Sequence, residues 1–160
     1  MDFAYSARVE ELRAKLQDFM DVHIQPADAA WKHEVEAGRY PTALVDGLKA
    51  RAKEAGLWNL FLPALKQGEP GTRLSNLEYA PLAEIMGRIF WSSEVFNCNA
   101  PDTGNMEILH MFATPEQRER WLNPLLNGEI RSCVGITEPG VASSDPTNLQ
   151  PTIIRDGDDH

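Results

Sequence analysis

The hydrophobic periodicity of this chain changes at Gly128, and this change limits the fold more than any other sequence feature. Before Gly128, apolar residues recur at three- and four-residue steps, which predicts amphipathic helices. After it, Ile130 to Ile136 and Thr152 to Ile154 are short apolar runs bounded by turn-forming residues, which predicts strands. We therefore expect a mainly α protein, with a helical domain over residues 1–129 and the start of a β-domain over residues 130–160.

Five or six helices are predicted between Ser6 and Gly128. The first runs from Ser6 to His23 on one apolar stripe and ends before Gln25-Pro26, because proline interrupts the helical hydrogen bonds. The second runs from Pro41 to Ala55. Gly56 follows it as a residue that accepts left-handed backbone, which is a common helix end.

Two capping boxes mark the later helix starts. Ser75 and Glu78 have the spacing of such a box, although Pro81 favours a start later than the box suggests. The segment DTGNMEILHMF predicts a short helix. The sequence TPEQ, which begins at Thr114, is the second box, and it opens a helix that runs to Gly128.

The charge balance and the absence of targeting signals exclude several classes of protein. Acidic residues outnumber basic ones by 24 to 15, and no Lys/Arg cluster is present. Nucleic acid is therefore not expected as a partner, which argues against a helical DNA-binding regulator. No stretch has the apolar length of a secretory signal or a membrane span, so we expect a soluble, cytoplasmic protein.

Cysteine and histidine do not form a recognisable site in the sequence. Cys98 and Cys133 lie in no C-x-x-C pattern, which predicts two reduced thiols. His23, His33 and His110 lack the paired spacing and nearby carboxylates of metal ligands. We predict no metal site.

The segment after the first predicted strand has residues that could form a binding loop. A Thr-Glu-Pro-Gly turn at Thr137 can direct backbone N–H groups and a hydroxyl towards one ligand. The small residues Ala142, Ser143 and Ser144 allow close approach, and Asp145 with the next proline is typical of a cap and turn. An ordinary surface loop explains the same residues, and on spacing alone it is the preferred interpretation.

A family resemblance changes this preference. The sequence ITEPGVASSD, from Ile136 to Asp145, resembles the flavin-binding signature T-E-P-x-A-G-S-D of the acyl-CoA dehydrogenases. Lys49 to Pro63, Leu77 to Arg88, Asn97 to Leu109 and Ala113 to Cys133 resemble further family segments in the same order, so nearly the whole chain is covered. The resemblance is closest to the subgroup of mammalian members ten and eleven and their bacterial relatives.

The resemblance implies a binding role for one continuous stretch. Thr137 would lie against the pyrimidine end of the flavin ring, Ser143 and Ser144 would contact the cofactor pyrophosphate and the acyl-CoA, and Glu138 would be a structural turn residue. Ala142-Ser143 replaces the single glycine of the usual signature, so the loop must bulge. The predicted cofactor-binding residues are Val134, Gly135, Ile136, Thr137, Glu138, Pro139, Gly140, Val141, Ala142, Ser143 and Ser144, with Ser144 also predicted to bind substrate.

The resemblance also implies an architecture and a reaction. Family members have an N-terminal helical domain, a middle β-domain and a C-terminal helical bundle, and FAD lies between the last two. A glutamate of the C-terminal bundle removes the α-proton of an acyl-CoA while hydride passes to the flavin. The implied partners are an acyl-CoA, here expected to be long-chain, and electron-transfer flavoprotein or another electron acceptor, and we expect the parent protein to be a homo-oligomer. Asn97 to Met106 would lie near the acyl-chain tunnel, although a simple helix connection explains this segment equally well.

The last residues suggest that the chain is the front part of a longer enzyme. Asp156-Gly157 predicts a hairpin turn, but only three residues follow it. The family resemblance places the catalytic base in the C-terminal bundle, so we expect this chain to lack that base and to be inactive by itself. The alternative is a non-catalytic helical interaction module from a truncated gene product, which, unlike a flavoprotein, would not be yellow.

Overall fold

The computed structural model describes residues 4–63, 65–152 and 154–157, and it is mainly helical. In these ranges, π-helical turns at Met20–Ile24 and Arg118–Leu122 join α1 to α2 and α7 to α8, which leaves six separate helical rods before Gly128 and no strand. The predicted fold class is confirmed. The α-helices are α1 (Ala7–Phe19), α2 (Gln25–Glu36), α3 (Thr42–Glu54), α4 (Asn76–Met86), α5 (Ser92–Val95), α6 (Asp102–Phe112), α7 (Pro115–Gln117) and α8 (Asn123–Asn127).

The first helical rod is longer than the sequence predicts. Ser6 caps α1 by accepting a hydrogen bond from the N–H of Val9, but the rod continues past Pro26 to Glu36. In the intervening π-helical turn, the N–H of Gln25 donates to the carbonyl of Met20, five residues earlier. This shift places Pro26 at the start of α2, where its missing N–H is tolerated, so the predicted end at His23 is wrong.

Both capping boxes form as predicted. Ser75 and Glu78 bond reciprocally, and α4 begins directly after Ser75, so the later start inferred from Pro81 is wrong. Pro81 and Leu82 are both buried, and this apolar contact offsets the helical hydrogen bond that the proline cannot make. Thr114 caps α7 in the second box.

Glycines end two helices in the predicted way. Gly56 follows α3 with φ of 69°, and Gly128 follows α8 with φ of 68°. Both values lie in the left-handed region that glycine adopts without a Cβ clash. A Cβ at Gly128 would also lie 2.8 Å from the Trp58 ring, so this helix end is fixed by packing as well as by backbone conformation.

One hydrophobic core joins the helices and the connector before α4. Phe96 is fully buried and meets Phe19 edge to face, with ring centroids 5.4 Å apart. Helix α2 contributes no buried residue. The largest fully buried side chains are Leu16, Ile24, Leu57, Leu60, Leu62, Leu74, Leu82, Met86, Phe96, Met106, Leu122 and Leu126.

The region after Gly128 differs from the prediction. Residues 131–138 have no regular secondary structure, and residues 130–152 contain no paired strand, so the predicted strand from Ile130 to Ile136 does not form. Its apolar sequence is typical of a strand, yet a strand needs a neighbour for its hydrogen bonds. The other predicted strand, Thr152 to Ile154, includes Ile153, which lies outside the described residues. Gly157 has the expected left-handed turn conformation, with φ of 65°.

Candidate functional site

The predicted cofactor-binding stretch begins in a segment without regular secondary structure and ends in a turn. Val134 and Ile136 are 54% and 47% exposed, so much of their apolar surface faces away from the helices. Gly135 and Gly140 have no heavy atom within 4 Å of the position that a Cβ would occupy. The stretch therefore presents an open and partly apolar surface.

Glu138 closes the loop that follows this segment. Its backbone N–H donates to Oγ of Ser143 at 2.9 Å. Its carboxylate accepts the N–H of Gln150, with distances of 3.0 and 3.2 Å to its two oxygens. Both contacts are internal to the loop, so Glu138 holds residues 143 and 150 close to residue 138.

Asp145 caps the short 3₁₀ turn at Pro146–Asn148, as predicted. Its Oδ1 accepts from Oγ1 of Thr147 at 2.7 Å and from the N–H of Thr147 at 3.0 Å. Its Oδ2 accepts from the side chain of Asn148 at 3.2 Å. The hydroxyl and N–H of Thr147 lower the pKa of this carboxyl below its ordinary value, because they stabilise its charged form.

The donor groups of the stretch fit a flavin. Within the described chain, the N–H groups of residues 134–137 and the hydroxyls of Thr137 and Ser144 make no hydrogen bond. Ser143 accepts from Glu138, but its hydroxyl can still donate. A flavin has carbonyl acceptors on one end of a flat, largely apolar ring and a pyrophosphate on its side chain. Apolar side chains beside free donors match that chemistry, and the individual contacts stay a prediction.

A buried carboxylate attaches the start of this stretch to α6. Oδ1 of Asp102 accepts from the N–H of Ser132 at 2.7 Å and from its Oγ at 2.6 Å, and Oδ2 accepts from Nε of Arg131. The Asn105 side chain, one turn along α6, donates to Oγ of Ser132 at 2.8 Å and to the carbonyl of Cys133 at 3.2 Å. Sequence reasoning missed Asp102, because an acidic first residue is a common helix-start signal and does not indicate a partner thirty residues away.

Arg131 continues this cluster towards α5 and α3. Its guanidinium also donates to the carboxylate of Glu94, which pairs with Lys49 at 3.2 Å. Burial, followed by the interaction with Glu94, raises the pKa of Tyr40 above its ordinary value. Burial by itself lowers the pKa of Arg131, but the hydrogen bond to Asp102 and the charges of Glu94 and Asp102 raise it. The cluster is thus a set of paired charges that attaches Arg131 to α5 and α6.

A groove of about 320 Å³ lies between α6, the second π-helical turn and residues 130–133. The Asn97–Met106 segment, predicted to be either an acyl-chain wall or a helix connection, contributes only Asn105 to it. Met106 is fully buried in the core, and Nδ2 of Asn97 donates to Oδ1 of Asn59 at 2.7 Å. The residues that line the groove are Asn105, Ile108, Leu109, Trp121, Leu125, Ile130, Arg131, Ser132 and Cys133.

The two cysteines have different environments. Both are free thiols. Cys98 is buried, and burial raises its pKa to about 12. Cys133 is exposed. In the part of the chain that the structure covers, no group of three or more His, Cys, Asp or Glu side chains is arranged to hold a metal ion, and none of the helices there is long and apolar enough to cross a membrane.

Comparison with known proteins identifies the fold and the family. The family model "Acyl-CoA dehydrogenase, N-terminal domain" matches residues 6–129. A solved structure from Mycobacterium abscessus, described as an acyl-CoA dehydrogenase, matches with a TM-score of 0.82 and 50% identity over 98% of this chain and 40% of that chain. The chain therefore belongs to the acyl-CoA dehydrogenase family.

Curated relatives have the same family name and are longer. "Probable acyl-CoA dehydrogenase FadE2" of Mycobacterium tuberculosis is 51% identical over 100% of this chain and 39% of its own length. "Acyl-CoA dehydrogenase family member 11" of Gallus gallus is 47% identical over 99% of this chain and 20% of its own length. This chain spans less than half the length of either relative. The identities confirm the predicted resemblance to the family.

Proposed function

We propose that this chain is the N-terminal part of an FAD-dependent acyl-CoA dehydrogenase that acts on long-chain fatty acyl-CoA thioesters in the cytoplasm. Residues 1–129 are its helical domain, and residues 130–160 begin its middle β-domain. The observation that carries the proposal is the state of residues 134–144: they contain all but the last residue of the family signature, are mostly exposed, and form no paired strand. A surface with free donors and exposed apolar side chains is suited to a large, partly apolar cofactor.

The residues of this chain would bind and orient the cofactor. The bound flavin would accept the hydride from the β-carbon of the acyl group. Thr137 would donate its hydroxyl to the pyrimidine end of the ring, and Ser143 and Ser144 would contact the pyrophosphate and the acyl-CoA. Glu138 would keep the loop closed, as its two hydrogen-bond sets inside the loop suggest.

The base that removes the α-proton would lie outside this chain. No carboxylate of the cofactor-binding stretch is free for that role, because Glu138 bonds to the N–H of Gln150. The longer relatives have room for the C-terminal bundle in which the family places this glutamate. Electron-transfer flavoprotein or another electron acceptor would then oxidise the flavin, and the full-length protein would be a homo-oligomer.

Replacement of Thr137 tests the cofactor contact. In the full-length gene product, Thr137→Ala should weaken FAD binding about 5- to 10-fold, because one hydrogen bond is worth roughly 1 to 1.5 kcal/mol. The flavin dissociation constant, measured by fluorescence, checks this. Thr152→Ala is the matched control, because Thr152 is exposed and outside the signature. Equal FAD binding by Thr137→Ala and the wild type would show that the contact is misplaced.

The 160-residue chain itself provides a second test. Even with added FAD, it should show no dye reduction with a long-chain acyl-CoA and at most weak flavin binding. One loop offsets little of the entropy lost when so large a ligand is immobilised. Turnover by the purified chain would contradict the proposal that the base lies elsewhere.

A further inference from the structure

We propose that Asp102 is the positioning residue for the cofactor-binding stretch: it fixes Arg131 and Ser132 to the start of α6 and so determines where the stretch begins relative to the helical domain. The identity of the ligand as FAD rests on the proposed function. The attachment itself does not depend on it.

Both oxygens of the Asp102 carboxylate are used for this attachment. The residue is 1% exposed, and its three hydrogen bonds to residues 131 and 132 span about thirty positions of the chain. As the first residue of α6, Asp102 also lies where the N-terminal end of an eleven-residue helix stabilises negative charge. A buried carboxylate with these partners holds its donors in one geometry.

The adjoining stretch has few other attachments. Asn105 holds Ser132 and Cys133 from the next turn of α6. Residues 134–137 make no hydrogen bond to the rest of the described chain, and the next bonds, at Glu138, are internal to the loop. The position of Val134 relative to the helices therefore depends on the contacts two residues before it, and Asp102 makes most of these.

A second carboxylate cluster provides a matched control. Glu69 accepts from Nε2 of His110 at 2.8 Å and from Nη2 of Arg118 at 2.6 Å, so it also joins distant segments through charged hydrogen bonds. It makes no contact with residues 131–144. Loss of Glu69 would affect stability without moving the start of the stretch.

Amide hydrogen exchange on the 160-residue chain tests the attachment. Asp102→Ala should accelerate exchange of the Ser132 amide at least 10-fold, and Asp102→Asn should do so less, because its remaining oxygen can still accept from Ser132. Glu69→Gln should leave this amide unchanged. Ser132→Ala removes the hydroxyl bonds to Asp102 and Asn105 but keeps the amide bond to Asp102, and it is the second variant if Asp102→Ala does not fold. An unchanged Ser132 amide in Asp102→Ala, with native helical circular dichroism, would overturn the proposal.

Flavin binding by the full-length gene product tests the consequence. We expect Asp102→Asn to raise the FAD dissociation constant about 5-fold and Asp102→Ala to raise it about 20-fold. A merely structural role would lower the fraction of active enzyme and leave the dissociation constant of the folded fraction unchanged, and that result would overturn the proposal. If the wild-type protein binds no FAD, the proposed function is wrong, and exchange at Ser132 still decides whether Asp102 makes the attachment.

Discussion

The end of α8 and the segment that follows it use their backbone polar groups in opposite ways. Side chains from other parts of the chain bond to the last carbonyls of α8: Trp58 and Asn59 donate to Leu126 at 2.8 and 2.9 Å, and Asn97 donates to Leu125 at 3.0 Å. In contrast, the N–H groups of residues 134–137 make no bond to the rest of the described chain. A helix end is normally left with unpaired carbonyls, so this pairing is specific to the fold.

This difference separates a region whose polar groups are paired within the protein from a region whose backbone donors are free to bind a partner. Buried polar groups must find partners within the protein, and the helical domain provides them. Exposed backbone donors can instead bond to a ligand or to further chain. Helix α8 ends at Gly128, and the Asp102 attachment joins the chain before this residue to the chain after it.

Truncation of a large apolar side chain should have the largest effect on the free energy of unfolding, and we expect this effect only in the helical region before Gly128. Phe96 is fully buried, whereas Val134 is 54% exposed. Phe96→Ala should lower the free energy of unfolding by about 3 to 5 kcal/mol, because it leaves a cavity. Val134→Ala should change it by less than about 0.5 kcal/mol. Urea unfolding followed by circular dichroism measures both, and similar losses for the two variants would remove the distinction between the regions.

The buried Asn59–Asn97 pair should have the next largest effect. Asn97→Ala leaves the buried Oδ1 of Asn59 without its donor and removes the side-chain bond to the Leu125 carbonyl, which keeps only the Gly128 N–H, and this should cost about 2 to 3 kcal/mol. Asn127→Ala is the control, because the side chain of Asn127 is exposed at the end of α8, the helix that contains Leu125. Thermal unfolding of both variants measures the difference. A loss below about 0.5 kcal/mol in Asn97→Ala would mean that the pair is not needed.

Glu69 should make part of the stability pH-dependent. Burial by itself raises its pKa, but hydrogen bonds from His110 and the Lys66 N–H, with the charges of His110 and Arg118, hold the pKa below its ordinary value. Its contribution is therefore present above the unfolded pKa of about 4.3 and is lost as pH falls through the folded value. Glu69→Gln should cost about 1 kcal/mol at pH 7. Urea midpoints from pH 7 to pH 3 should show this deficit shrinking in acid, and a constant deficit would contradict the assignment.

Two caps of similar chemistry should have different effects on global stability. Thr114 caps a helix whose continuation packs in the core through Leu122, whereas Asp145 caps an exposed 3₁₀ turn. Thr114→Ala should cost about 1 kcal/mol. Asp145→Ala should cost less than about 0.5 kcal/mol, because its turn is not coupled to the core. Equal losses in thermal unfolding would show that the turn is part of the cooperative unit.

Local signals in the sequence predict the helical region well. The capping box at Ser75 and the left-handed glycines Gly56 and Gly128 act within a few residues, so their spacing identifies them. The two predictions based on proline were wrong because other effects outweigh the rule that proline interrupts a helix. At Pro26 this effect is a π-helical turn, and at Pro81 it is the burial of apolar surface. Those effects depend on packing that a short window of sequence does not contain.

The candidate site depends on information that local patterns lack. The run from Ile130 to Ile136 is apolar enough for a strand, but strand formation requires a distant partner. The bond between Asp102 and Ser132 likewise joins residues thirty positions apart. The stretch from Val134 to Ser144 was predicted through family resemblance, since spacing alone favoured a surface loop.

Removal of the region after Cys133 tests the central claim most directly. A chain that ends after Cys133 retains the Asp102 contacts but lacks the predicted cofactor-binding stretch and everything after it. If the helical domain is self-sufficient, its thermal midpoint should lie within about 2 °C of that of the 160-residue chain, because the deleted residues add little to the core. A midpoint lower by more than about 5 °C, or loss of cooperative unfolding, would show that the two regions form one folding unit and would contradict this account.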